Sequence, residues 1–140
     1  MDILEQLIKN RHFEYEVAIN TSFGGFSLTK EMCEELHLDF KTQAYIFDKD
    51  RSNPVLIELI KKHKPKDLEI VKIELEDIPR VYLRNYDGRE EIIYRDDNMA
   101  YPLMDYLCQR NWAIMNISEN TLKGVIIWAK TNCLNIQNWI

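Results

Sequence analysis

A pair of glycines between two phenylalanines, in the segment NTSFGGFSLT, is the first candidate for binding chemistry. Gly24 and Gly25 follow an alternating, strand-like run and precede a segment with helical spacing, which is the setting of a phosphate-binding loop. The segment lacks the lysine of a P-loop and the third glycine of a dinucleotide-binding fold. Two interpretations remain, of which we favour the first: a sharp turn that needs positive φ, or a loop that contacts a ligand.

The two phenylalanines beside this glycine pair could stack on a planar ligand or anchor the core. Because the bend between them should turn one ring outward, we predict that Phe23 and Phe26 are not both buried. We also expect one of these rings, together with Arg51, to line a groove.

The second candidate is the charged segment DKDRSN, which follows a short apolar run and precedes a predicted helix. Its first residues resemble the start of a calcium loop. However, Asn53 occupies the position that requires glycine, and Leu59 occupies the twelfth position, which requires glutamate. We therefore predict no calcium site. Asp48, Asp50 and Arg51 remain candidates for ligand contact, since loops ahead of helices often carry function.

Residues suited to metal binding or nucleophilic catalysis form no recognisable motif. Cys33 and His37 lie four residues apart on one predicted helix face, but zinc needs two further ligands that only distant residues could supply. No local signature selects a Cys-His pair. Neighbouring carboxylates such as Glu90 and Glu91 point to opposite faces of a strand, so their adjacency does not indicate an acid/base pair. We expect no metal, no cofactor and no assigned catalytic residue.

The periodicity of apolar residues predicts the elements that position these candidates. Alternation predicts strands near 12–20, 45–47, 68–75, 80–86 and 89–94, with a further short strand over 112–117. Helical spacing predicts helices over 2–10, 30–37, 55–63, 99–110 and 119–131.

Caps and turns fix several of these boundaries. Thr29 is a suitable N-cap, and Asn53 followed by Pro54 has the form of an N-cap with proline at the first helical position. Asp87-Gly88 between two strands predicts a type I′ hairpin. Gly124 inside the last helix indicates close packing against another backbone.

Composition restricts the class of protein. The chain has 140 residues, of which 46% are hydrophobic, and these values predict a single α+β domain over 1–140. We expect a mostly antiparallel sheet with helices packed on one face, with 1–96 as the sheet-containing core and 97–140 as a helical C-terminal portion. The net charge of −5 disfavours nucleic acid as a partner.

The expected location follows from the same sequence. No apolar run is long enough to span a bilayer, the first residues do not resemble an export signal, and three widely spaced cysteines disfavour a disulfide framework. These features predict a soluble protein of the cytoplasm without a membrane partner.

The C-terminal segment carries apolar residues where termini are usually polar. These are Leu134, Ile136, Trp139 and Ile140. They predict an edge strand whose apolar face is covered either by the chain's own sheet, which we favour, or by a homodimer or another partner.

An ordered set of short motifs runs from about Val17 to Tyr94. Its residues are Gly24, Gly25, Phe26, Leu28 and Thr29; Arg51, Pro54 and Leu56; Ile78 and Pro79; and Tyr86, Asp87 and Gly88. In this order they resemble a family of small, functionally uncharacterised proteins encoded by tailed phages and large DNA viruses. The resemblance implies a viral origin and action in the host-cell cytoplasm, and it implies no catalytic residue.

The function that we favour from the sequence is non-catalytic binding inside the cell, through protein contact or capture of a small ligand. The alternative is a small hydrolase or nucleotide-handling enzyme with a site built from loops. An enzyme should gather titratable groups in a concavity near residues 48–51 or the glycine pair, whereas a protein-binding module should show an apolar surface patch.

Overall fold

The computed structural model describes residues 14–107 and 119–134. The predicted helix over 2–10, the predicted strand over 112–117 and the tail residues Ile136, Trp139 and Ile140 lie outside these residues.

Within the described residues, five strands and four α-helices form an α+β domain, as the sequence predicts. The strands are β1 (Glu14–Asn20), β2 (Leu68–Glu74), β3 (Tyr82–Tyr86), β4 (Arg89–Ile93) and β5 (Ala100–Pro102). The helices are α1 (Lys30–Glu35), α2 (Phe40–Gln43), α3 (Pro54–His63) and α4 (Glu119–Thr131). Two 3₁₀ segments, Leu75–Arg80 and Leu103–Tyr106, follow β2 and β5.

The strands form two antiparallel sheets where we predicted one. In the first sheet β1 pairs with β2, with Val17 opposite Val71. In the second sheet the order is β4-β3-β5, with Leu83 opposite both Ile92 and Tyr101. Residues 45–47 are a turn, so the strand predicted there is wrong. A short apolar run does not by itself distinguish a strand from other buried structure.

Alternation along β1 explains why the domain has three layers. Val17 and Ala18 are both fully buried although their side chains point to opposite faces of the sheet. Ala18 belongs to a core cluster with α1 and α3, whereas Val17 belongs to a cluster with Val81 and Leu103 beside the second sheet. The first sheet is therefore the middle layer, between the helices and the second sheet.

The predicted helix caps are confirmed. The Thr29 hydroxyl accepts a hydrogen bond from Met32 N at the start of α1, and Asn53 Oδ1 accepts one from Val55 N at the start of α3. Pro54 occupies the first turn of α3, where its missing N–H costs no hydrogen bond.

The hairpin between β3 and β4 is also confirmed. Asp87 has φ 50° and Gly88 has φ 89°, and Tyr86 pairs with Arg89 across the turn. Positive φ at both central residues is the signature of the predicted type I′ turn.

The C-terminal portion differs from the prediction. Within the predicted helix over 99–110, Ala100–Pro102 is a strand that pairs with β3, so the sheet-containing part extends past residue 96. Proline allows this arrangement because it lacks the N–H that a helix interior requires. The helix α4 is present, and no atom of the described residues outside the backbone of α4 lies within 4 Å of a Cβ built at Gly124, so the predicted close packing does not involve the residues described. No helix among the residues described is both long and apolar enough to cross a membrane.

Candidate functional site

Arg51 lies at the junction of the three layers. It precedes α3, its N–H donates to Tyr106 O at 2.6 Å, and its carbonyl accepts from Ala18 N at 2.8 Å. These backbone bonds place the side chain in the interior, where it is 1% exposed. A fully buried arginine requires partners for its charge and for every donor.

The guanidinium group of Arg51 has a complete set of hydrogen bonds. Nη1 and Nη2 donate to Glu90 Oε1 and Oε2 at 2.6 and 2.7 Å, which is a bidentate ion pair. Nε and Nη2 also donate to the carbonyl and carboxylate of Asp48 at 2.7 and 3.0 Å, and Nη1 donates to Ala18 O at 3.2 Å. All five N–H groups therefore have an acceptor.

Glu90 connects this cluster to the first sheet. Its Oε1 also accepts a hydrogen bond from Asn20 N at 2.7 Å, so the end of β1 is held to β4. The carboxylate is thus shared between a guanidinium and a backbone amide. On its other side, the guanidinium carbon of Arg51 lies 3.8 Å from the centre of the Phe26 ring, which is a cation–π contact.

The glycine pair packs directly against the hairpin turn. Gly24 N donates to Asp87 O at 2.9 Å, and Asn20 Nδ2 donates to Gly88 O at 2.7 Å. A Cβ at Gly88 would lie 2.0 Å from Gly25 N, so the two segments are in close contact. Gly24 and Gly25 have φ of 108° and 95°, which the turn interpretation requires.

The bend between the two phenylalanines turns one ring outward, as predicted. Phe26 is 3% exposed, whereas Phe23 is 61% exposed. Phe23 packs edge to face against Tyr86 on β3, with ring centres 6.4 Å apart, and Tyr86 is itself 57% exposed. We call Phe23 and Tyr86 the aromatic pair.

An open cleft of about 790 Å³ lies beside the aromatic pair. Tyr86 forms part of its wall, and Ile19 and Ile92 supply apolar surface from the two sheets. Its charged lining comprises Glu69, Arg84, Arg89, Glu90, Glu91 and Asp97. The cleft therefore combines aliphatic, aromatic and charged groups at the border between the two sheets.

The charges of the cleft differ in how they are paired. Arg84 donates to Glu91, which lies directly opposite it in the second sheet, and lies 3.9 Å from Asp97. Glu90 is neutralised by Arg51. Glu69 and Arg89 have no ion pair among the residues described, so their charges face solvent.

The structure distributes the predicted ligand-binding residues over two environments. Phe26, Asp50 and Arg51 are buried, and the prediction that Arg51 lines a groove is wrong because its guanidinium is enclosed. Asp50 accepts a hydrogen bond from Asn53 Nδ2 at 2.8 Å. The carboxylate of Asp48 is partly exposed but pairs with Arg51. These charged residues form hydrogen bonds and ion pairs within the protein. Ligand contact by the exposed Phe23 and the adjacent glycine pair stays a prediction.

The cleft itself was missed by the sequence reasoning. Four of its six charged residues lie in the segment RNYDGREE, which we interpreted only as a hairpin, and Glu69 and Asp97 lie outside it. The available signal was the alternation of charge on both sides of the turn, since Arg84 and Glu91 must face each other once the type I′ register is known.

The metal candidates on α1 are not brought together. Cys33 is fully buried, and burial together with the charge of Asp39 raises the pKa of its thiol to about 11. His37 lies beyond the end of α1 with φ 57° and is exposed. In the parts of the chain that the structure covers, no three His, Cys, Asp or Glu residues are placed to hold a metal ion.

A second carboxylate cluster lies on the helical side of the domain. Glu35 accepts hydrogen bonds from Trp128 Nε1 at 3.0 Å and from His63 Nε2 at 3.2 Å, and Lys62 Nζ lies 2.7 Å from it. Burial alone would raise the pKa of Glu35, but the hydrogen bonds and charges of Lys62 and His63 lower it. This Glu35 cluster connects α1, α3 and α4.

Leu134 is the one tail residue that the structure describes. It is partly buried against the helical core, and its N–H donates to Ala129 O at 2.9 Å. This contact lies at the end of α4, and the interface that we predicted for the tail stays a prediction.

Comparison of the chain with protein-family models, with curated proteins and with solved structures finds no match. The resemblance to phage and viral proteins therefore stays a prediction, and function is argued from the geometry of the cleft and the aromatic pair.

Proposed function

We propose that this protein is a non-catalytic binding protein that acts through contact with another protein, and that the cleft and the aromatic pair form its binding surface. The observation that carries the proposal is the exposure of Phe23 and Tyr86 at the border of an open cleft. A virus-encoded protein of the host cytoplasm is the biological setting that the sequence resemblance favours.

The aromatic pair has the chemistry of an interface centre. Large aromatic side chains are enriched among residues whose truncation weakens protein complexes most. Two such rings with centres 6.4 Å apart, both more than half exposed, form a contiguous aromatic surface that a partner can cover.

The backbone beneath the aromatic pair is held in one arrangement. Gly24 N bonds to Asp87 O on one side, and the Arg51–Glu90 ion pair fixes β4 to the inner layers. A surface that is already ordered loses less conformational entropy when a partner binds. The buried hydrogen bonds therefore support a preformed binding surface.

The walls of the cleft favour a polypeptide over an apolar small molecule. Sites for drug-sized molecules are mostly apolar with a few polar groups, but this cleft carries six charged side chains. Mixed charged and apolar lining is typical of the rim of a protein interface. The carboxylates of Glu91 and Asp97 are engaged by Arg84, an arrangement that favours a fixed surface over proton transfer.

The proposal is tested by quantitative affinity capture from the cells that contain the protein. The double variant Phe23→Ser/Tyr86→Ser removes the aromatic pair, and the matched control Phe40→Ser/Tyr45→Ser removes two other exposed rings. We expect at least one protein to bind directly both to the wild type and to the control Phe40→Ser/Tyr45→Ser. The same protein should not bind to the site variant Phe23→Ser/Tyr86→Ser. Crosslinking should place that partner next to the cleft.

Two outcomes would contradict the proposal. Equal capture by all three proteins would show that the aromatic pair is not the binding surface. A small molecule that co-purifies with wild type, and is lost from the site variant while protein partners are unchanged, would instead support ligand capture. Turnover of that molecule would support the alternative of a hydrolase or nucleotide-handling enzyme.

A further inference from the structure

The balance of charge in the cleft is negative. Three carboxylates, Glu69, Glu91 and Asp97, face two guanidinium groups, Arg84 and Arg89, once Glu90 is counted as neutralised by Arg51. Arg84 already contacts two of those carboxylates. Glu69 and Arg89 are the lining charges without an ion-pair partner among the residues described, and the described lining as a whole has one negative charge in excess.

The aromatic wall, like the excess negative charge of the cleft, favours a positively charged ligand. The face of an aromatic ring carries negative potential and attracts ammonium and guanidinium groups. Tyr86 is packed edge to face against Phe23 and still exposes more than half of its surface. A cation that enters the cleft can thus meet a ring face as well as carboxylates.

The apolar part of the cleft suits the stem of a basic side chain. Ile19 and Ile92 supply aliphatic surface from the two sheets. Lysine and arginine bury their methylene groups against apolar surface while the charged end contacts polar groups. An acidic segment would instead meet the excess carboxylate, and the net charge of −5 would slow its approach.

We propose that the cleft binds a lysine or arginine side chain of a basic segment of the partner protein, with Glu69 and Tyr86 as the residues that select the positive charge. This inference rests on the proposed function, because it names the chemistry of the partner. It depends on three independent properties of one cavity: its charge balance, its aromatic wall and its aliphatic surface.

The experiment compares three capped pentapeptides that differ only at two positions, which carry arginine, citrulline or glutamate. Citrulline has the shape of arginine without its charge. Each peptide is titrated into the full-length ¹⁵N-labelled protein, and amide shifts are followed by NMR. We expect the arginine peptide to shift the amides of Tyr86, Arg89 and Ile92, with an affinity at least about fivefold higher than that of the citrulline peptide and reduced by added salt.

Two variants connect this binding to the named residues. Glu69→Gln should weaken binding of the arginine peptide at least about threefold, since it removes the lining carboxylate that no described cation pairs with. Tyr86→Leu should weaken it while leaving an apolar wall. Glu58→Gln is the control, because Glu58 is an exposed carboxylate on α3 and does not line the cleft. It should leave the affinity unchanged.

The inference would be overturned by equal binding of the citrulline peptide, by tighter binding of the glutamate peptide, or by the absence of shifts at the cleft. It would also be overturned if Glu69→Gln and Glu58→Gln behaved alike. None of these outcomes affects the capture experiment with the aromatic variants, so failure of the cation specificity is distinguishable from failure of the proposed protein contact.

Discussion

The Arg51–Glu90 ion pair and the Glu35 cluster both use a carboxylate to connect distant parts of the chain, but in different surroundings. The side chains of Arg51 and Glu90 are 1% and 2% exposed, whereas those of Glu35 and Lys62 are 20% and 57% exposed. Water can therefore hydrogen-bond to the charged groups of the Glu35 cluster, whereas it is excluded from the contact between Arg51 and Glu90.

This difference determines what each cluster does. In the interior, loss of one charged partner leaves the other without compensation, so the Arg51–Glu90 pair fixes a single arrangement of the layers. Near the surface, water and salt ions screen the charges, so removal of one partner costs less. The stabilisation of α4 by the Glu35 cluster therefore depends on the salt concentration. The buried pair lies beneath the proposed binding surface, since Glu90 also lines the cleft.

The largest effect is expected for Arg51→Met, which leaves the Glu90 carboxylate buried without its cation. The free energy of unfolding should fall by about 3–5 kcal/mol, as measured by urea denaturation. The double variant Arg51→Met/Glu90→Leu should recover much of this loss, because neither member of the pair is left as an unpaired buried charge. A loss below about 1 kcal/mol in the single variant would show that the pair is not enclosed as described.

The contact between glycine pair and hairpin is broken by Gly88→Ala. Its Cβ would lie 2.0 Å from Gly25 N, and its φ of 89° is unfavourable for alanine. We expect a loss of at least about 2 kcal/mol by thermal denaturation. Gly24→Ala is the matched control, since it has positive φ but open space around its Cβ. Similar losses in both variants would mean that strain alone, without the contact, explains the effect.

A smaller effect is expected on the helical side for Glu35→Gln. The loss should be below about 1 kcal/mol and should decrease with added salt, as for other partly exposed ion pairs. A loss as large as that of Arg51→Met would remove the contrast between the two clusters.

The same comparison predicts the pH dependence of the Glu35 cluster. Because the folded state lowers the pKa of Glu35 below its ordinary 4.5, the unfolded chain binds the proton more readily. The stabilisation is therefore complete well above 4.5 and is lost as the pH falls through the folded pKa. The difference in unfolding free energy between wild type and Glu35→Gln should shrink between about pH 6 and pH 3, and growth of that difference would reverse the assigned sign.

The smallest effect should be a gain in stability from Gly124→Ala on α4. Within the part of the chain that the structure describes, no atom outside the backbone of α4 lies within 4 Å of the added Cβ, and alanine favours a helix interior over glycine by about 1 kcal/mol. Circular dichroism should show a higher midpoint of thermal unfolding. A lower midpoint would mean that another backbone approaches α4 closely, as the sequence had suggested.

Elements specified by local chemistry could be predicted from the sequence. The caps at Thr29 and Asn53 and the turn at Asp87-Gly88 depend on side chains and φ angles within a few residues. The strand over 68–74 follows from its alternation. These features need no knowledge of the rest of the fold.

The division into two sheets and the candidate cleft could not be predicted in this way. Arg51 and Glu90 are separated by 39 positions, and only the packing of β1 between helices and hairpin brings them together. The three-residue strand β5 is too short to show periodicity. Charge at Asp48, Asp50 and Arg51 indicated a candidate for ligand contact, but sequence could not reveal that Asp50 and Arg51 are buried.

The sequence separation of the bonds around Glu90 has a consequence for biosynthesis. Asn20 N and Glu90 are joined across 70 positions, so β1 and Arg51 leave the ribosome well before the carboxylate that satisfies both. Until then, the guanidinium has Asp48 as its only charged partner among the described partners that precede Glu90, and it lacks the bidentate acceptor that burial requires. The hairpin therefore brings the acceptor that joins β1 and Arg51, and a nascent chain that stops before residue 90 leaves both Asn20 N and the Arg51 guanidinium without it.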